Sequence, residues 1–111
     1  MSVNPKILID CNRSKANLKA VFEDVRFSDI TFRPHYKTHQ SIGAGMWFRN
    51  AGIKKITVSS LPMAEYFAAG GWDDILIALP LNTNHIAQYD ALASKIKLHL
   101  LVDNNEVLSL A

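Results

Sequence analysis

The sequence predicts an α/β fold in which short strands and helices alternate on a parallel sheet. Apolar runs and amphipathic stretches succeed one another at intervals of about 20–25 residues, the rhythm of βα units. One run, DDILIALP at 73–80, is almost continuously Ile and Leu, as expected of a strand covered on both faces. The amphipathic stretches carry recognisable starting and stopping residues. Such units cross over with right-handed connections. Periodicity alone does not separate an open doubly wound sheet from a slice of a barrel. Both place their chemistry at the C-terminal ends of the strands.

The elements follow in order. KILID (6–10) is a strand candidate leading into a helix over 12–25, where Leu18, Val21, Phe22 and Val25 share one face. DITFRPHYK (29–37) is the second strand. A helix from about Thr38 to Asn50 carries Ile42, Met46 and Trp47 on one side and has Gly52 just past its end. KKITVSS (54–60) is the third strand. Ser60 can cap the next helix, Pro62 falls in its first turn where a missing N–H costs little, and Gly70-Gly71 ends it. After the strand at 73–80, NTN (82–84) caps a helix with Ile86, Tyr89, Ala93 and Ile96 on one side. KLHLLVD (97–103) is the last strand, and the opening turn of another helix follows. No linker or second domain is visible, so residues 1–111 read as one unit.

Composition narrows the function. With 111 residues, about half of them apolar, the chain can bury a core. A net charge of +2 without a basic tract interleaved with aromatics gives no indication of nucleic acid. No apolar run approaches the ~20 residues of a membrane helix. The lone Cys11 excludes an intramolecular disulfide and reads as a packed thiol. The start MSVNPKILID lacks the pattern of a signal peptide, and the expected location is the cytoplasm.

The stretch RPHYKTHQS (33–41) stands apart. On a strand, Thr31, Arg33, His35 and Lys37 share one face and Ile30, Phe32, Pro34 and Tyr36 the other. A row of cations in a covered sheet is costly unless an anion or a reaction compensates; on a solvated edge strand it costs nothing. Spacing leaves these two readings open. A lysine at a strand's C-terminal end can act as a Schiff-base amine when desolvation and neighbouring cations lower its pKa.

The same stretch resembles the RPHxKTH cofactor-lysine motif of the D-threonine aldolase and D-serine dehydratase group. These are fold-type III pyridoxal-phosphate enzymes whose N-terminal domain is similar to that of alanine racemase. PKILIDCNRSKANLKAV resembles the group's opening strand and helix, ITVSSLPMAEYFAAGGWDDILIALPLN its next blocks, and LHLLVDNNEVLSL the strand after them, so that essentially the whole chain is covered. The resemblance implies that Lys37 forms a Schiff base with pyridoxal phosphate and moves protons at the α-carbon of an amino acid. Arg33, His35 and Thr38 would support the cofactor; no metal ligand is assigned. It further implies α/β architecture amounting to about half of a parallel (β/α)8 barrel. Residues 6–10 would then pair with a β domain absent from the chain. A divalent metal would belong only to the full-length enzyme. Tyr36 departs from the group's pattern, where a smaller aliphatic is usual.

The implied reaction is retro-aldol cleavage or dehydration of a β-hydroxy D-amino acid, with racemisation second. The rival is a non-catalytic or split module. Two copies would supply the eight strands of a closed barrel, so a homodimer or a complementing chain is the implied partner.

Other constellations weigh less. HxxxH at 35–39 is broken by Pro34 and lacks a following Glu, so a zincin site is not expected. GAGMWF (43–48) does not follow a strand and reads as close helix packing rather than a dinucleotide loop. His39 reads as an exposed first-turn residue, Asp73-Asp74 as a solvated turn and His99 as a satisfied core histidine. Trp47, Phe48, Tyr66 and Phe67 read as core or interface. Asp103 and Asn104 stand at a strand end without an assigned role.

Overall fold

A computed structural model describes residues 4–110 as two compact units that divide between Thr31 and Phe32. In the first unit, helix α1 (Cys11–Val25) is capped by Asp10, whose carboxylate accepts the Arg13 N–H at 2.9 Å. The less exposed face of α1 runs through Cys11, Ser14, Leu18, Phe22 and Val25, one helical stripe. Val21, expected on that stripe, lies to its side and is exposed. Residues 6–10 form no strand: they pair with none of the described residues, and Ile7 and Leu8 are 91% and 89% exposed.

The second unit holds helix α2 (Ile42–Asn50), strand β1 (Ile56–Val58), helix α3 (Leu61–Ala69) and strand β2 (Asp74–Pro80). A 3-10 turn (Thr83–His85), helix α4 (Ile86–Ala93), strand β3 (Lys97–Leu101) and the short helix α5 (Asn105–Leu110) complete it. The strands form a three-stranded parallel sheet in the order β1-β2-β3. The βα alternation is therefore as expected, with corrections at three places.

The strand expected at 29–37 is reduced to one parallel bridge between His35 and Thr57. It is made by Tyr36 N–H donating to Thr57 O at 2.8 Å and Thr57 N–H to Pro34 O at 2.9 Å. Pro34 has no N–H to extend the ladder, and the chain turns immediately beyond. Second, α2 begins at Ile42 rather than near Thr38. Gln40 has φ 47° and Ser41 is extended at φ −137°, so neither is helical, and Ser41 Oγ caps by accepting the Ala44 N–H. Third, β1 is only three residues long because Ser59 and Ser60 leave the sheet, and Ser60 Oγ accepts the Met63 N–H to start α3.

Register gives the sheet two different faces. Ile56 pairs with Ile75 and Val58 with Ile77, while Leu98 and Leu100 align with the same two β2 residues. Residues so paired project to one side, and all four of the β1 and β2 residues are buried. The opposite side carries Thr57, Asp74, Leu76, Ala78, Lys97 and His99. There Thr57 and Asp74 are buried while Leu76, Ala78 and His99 are half-buried, so the described residues cover this face only in part.

An aromatic cluster belongs to the core of the second unit. Tyr36 is fully buried, with its ring centroid 5.0 Å from Phe67, 5.1 Å from Phe48 and 5.2 Å from Trp72. Burial of side chains this size stabilises by about 1.5–3 kcal/mol each. The cluster explains GAGMWF: a Cβ added at Gly45 would lie 3.2 Å from the Tyr36 ring. Close packing of α2 is thus the role of that glycine. The Arg49 guanidinium lies 4.5 Å above the Trp72 ring and donates to Gly70 O. No helix among the described residues is long and apolar enough to cross a membrane.

Candidate active site

Lys37 lies two residues beyond the His35–Thr57 bridge, at the C-terminal end of the parallel sheet. It is exposed, and its side-chain amine makes no hydrogen bond or ion pair among the described residues. Its backbone is firmly held. The Lys37 N–H donates to His35 Nδ1 at 3.1 Å, and its carbonyl accepts the Gln40 side-chain amide at 3.1 Å. The turn is closed by Gln40 N–H donating to Tyr36 O at 3.0 Å. Thr38 is exposed at the top of this turn.

His35 is kept below the ordinary histidine range, first by partial burial and then by the charge of Lys37. At neutral pH it is the uncharged imidazole, with Nδ1 accepting and the proton on Nε2. His39 is half-buried rather than an exposed first-turn residue. Its ring stacks on Phe48 with centroids 5.3 Å apart and meets Tyr36 at 4.4 Å. Its Nδ1 accepts the Ser41 N–H at 3.3 Å, Nε2 is buried without a partner among the described residues, and burial lowers its pKa.

Arg33 goes elsewhere. Its Nη2 lies 2.8 Å from Asp74 Oδ1, and Nη1 donates to Ile56 O at 3.0 Å and to Asp74 O at 3.4 Å. His99 Nε2 is 3.0 Å from the same Asp74 Oδ1. The expected solvated turn at 73–74 is thereby corrected for Asp74, which is 9% exposed and takes cationic or hydrogen-bonding partners from both sides. Burial works to raise its pKa, but the bonds and charges of Arg33 and His99 prevail and hold the carboxyl below its usual range. His99 is a satisfied histidine, though only half-buried.

Of the four residues expected at the site, Lys37, His35 and Thr38 share the turn, while Arg33 joins the starts of β1 and β2. Sequence reasoning missed Asp74 and Gln40. The first had a signal, since Asp74 alternates in step with Leu76 and Ala78 within the apolar run. Gln40 had none, because glutamine carries no turn signature. Asn104 caps α5, its Oδ1 accepting the Val107 N–H at 2.8 Å. Among the described residues no group of three or more His, Cys, Asp or Glu is arranged to hold a metal ion.

No protein-family model matches the chain. It is 34% identical over 101 residues to D-threo-3-hydroxyaspartate dehydratase of Delftia sp. strain HT23, matching 90% of this chain and 27% of that enzyme. The solved structure of that dehydratase superposes with a TM-score of 0.86 at 32% identity, covering 92% of this chain and 27% of the other. An alanine racemase-like protein from Idiomarina loihiensis superposes with a TM-score of 0.87 at 29% identity, covering 98% of this chain and 30% of the other. The chain thus spans about a quarter of the length of the relatives it matches.

Proposed function

We propose that this chain, which is similar to part of the alanine racemase-like, fold-type III pyridoxal-phosphate enzymes its sequence resembles, carries the cofactor lysine of such an enzyme at Lys37. The observation that supports the reading most is the exposed, unpaired Lys37 amine, set beyond the last bridge at the chemical end of a parallel sheet. The site residues fit an aldehyde cofactor in one respect: a free amine is present on a backbone fixed by His35 and Gln40. Pyridoxal phosphate bound there would supply an electron sink for charge left at an amino acid's α-carbon.

The chain's own part is to bind and to orient. Lys37 would hold the cofactor through its amine, His35 presents a neutral ring that fixes the Lys37 N–H, and Thr38 offers a hydroxyl and a backbone N–H at the turn. Arg33, neutralised by Asp74, supports the lysine segment by tying it to the starts of β1 and β2.

The reaction we favour is dehydration of a β-hydroxy D-amino acid, in keeping with the dehydratase relative. Retro-aldol cleavage and racemisation employ the same lysine. The bridge segment at His35 and strands β1, β2 and β3 would make half of a parallel eight-stranded barrel. The remaining strands would come from further polypeptide, either a second copy or a complementing chain, and residues 6–10 would pair with a β domain. In that architecture this chain supplies the covalent anchor, and the other part supplies most of the remaining site.

The test is direct. Incubated with pyridoxal phosphate, the chain is expected to gain a visible absorbance that survives dialysis, and borohydride should fix the adduct on Lys37 by peptide mass. Absence of any adduct, or one that persists in Lys37→Ala, would sink the assignment.

A further inference from the structure

We propose that Gln40 is a positioning residue for the Lys37 amine, acting through the Lys37 carbonyl; this rests on the reading of Lys37 as the cofactor lysine. Among the described residues, Gln40 is the one non-glycine position with positive φ, at 47°. Residues with side chains use that region sparingly, and such outliers persist where their surroundings hold them, often at functional sites.

Here the surroundings are specific. The Gln40 N–H donates to Tyr36 O at 3.0 Å, closing a turn around Lys37, Thr38 and His39, and its Nε2 reaches back to Lys37 O at 3.1 Å. Tyr36, at the base of the turn, is fully buried, so the turn is anchored to the core. The Lys37 peptide is consequently fixed on both sides: its N–H by His35 and its carbonyl by Gln40. A lysine side chain has many rotamers, and fixing its origin limits where its amine can reach. That restriction is what speeds reaction with a group held in place.

The backbone and the side chain at position 40 favour opposite replacements. Glycine adopts φ 47° at less cost than glutamine, so a purely structural role would be served as well or better by glycine. Glycine cannot donate to the Lys37 carbonyl. Gln40→Gly therefore separates the two roles.

The experiment treats wild type and Q40G with pyridoxal phosphate and borohydride over a time course. Peptide masses follow Lys37 against the other lysines, and thermal melting is followed alongside. The expected result is a Q40G Tm equal to or above wild type, with modification of Lys37 slowed about tenfold and the other lysines unchanged. Modification of Lys37 at the wild-type rate overturns the proposal. So does a Q40G that loses stability in step with labelling, since Gln40 would then be structural. If wild type itself shows no preference for Lys37, the cofactor-lysine reading has failed and the role of Gln40 falls with it. That outcome differs from a failure confined to Q40G.

Discussion

The Asp74 carboxylate is the meeting point of three separate segments of the second unit. Arg33 and His99 both approach Oδ1, and the Arg33 guanidinium also bonds the Ile56 and Asp74 carbonyls. Arg33 and Asp74 are mostly buried, with side-chain exposures of 20% and 13%, while His99 is 38% exposed. A hydrogen bond to a charged group in such a setting is worth about 1.5–3 kcal/mol. Asp74→Asn is therefore expected to destabilise the fold by about 2 kcal/mol at neutral pH.

The sign of the pH dependence follows from the depressed pKa. The folded state holds Asp74 ionised to lower pH than the unfolded chain does, so its contribution is complete above the unfolded value of about 3.9. It is lost as pH falls through the folded pKa. Urea melts at pH 7 and below pH 4 should show the gap between wild type and Asp74→Asn shrinking in acid. A gap that is constant with pH would mean that the ion pair contributes nothing.

At the scale of elements, α3 depends on a cap that the sequence made legible. Ser60 was identifiable as a cap because it precedes Pro62 and the apolar run of α3, and its Oγ does accept the Met63 N–H at 3.3 Å. Ser60→Ala should cost about 1 kcal/mol. In urea the midpoint would fall while the slope m stayed unchanged. An unchanged midpoint would show that the cap is replaced by water.

Local chemistry of this kind was readable, as was DDILIALP, which became β2. The strand at 29–37 was not, because alternation predicts a strand wherever residues could pair, whereas pairing depends on the neighbour. β1 offers only three residues and Pro34 lacks a donor, so one bridge remains. The start of α2 was missed for a related reason. The φ of Gln40 is set by its bonds to Tyr36 and Lys37, which no propensity encodes. At the proposed site, the motif singled out Lys37, and the structure sets that residue just beyond the His35 bridge. The partnership of Arg33 with Asp74 spans 41 positions of sequence and was not.

At the scale of the whole molecule, the sheet of the second unit has one face buried at β1 and β2 and one covered only in part. Leu76 and Ala78 on the partly covered face are half-buried, and Leu79 and Leu101 at the C-terminal ends of their strands are 53% and 44% exposed. β3 also presents an edge that pairs with no described strand beyond it. Apolar surface beside an open parallel edge invites association, because another strand or sheet both removes the surface from water and pairs the edge. The three strands and the His35 bridge provide four strand positions, and two chains would provide the eight of a closed barrel. The 111-residue chain expressed by itself is accordingly expected to self-associate, with light scattering giving at least twice the 12.4 kDa of one chain. Leu76→Glu should shift it toward the monomer, because a carboxylate on that face would be desolvated without a partner. A wild-type chain that stays at the monomer mass would show that this face tolerates water as it is. The proposed barrel would then call for a complementing chain instead of a second copy.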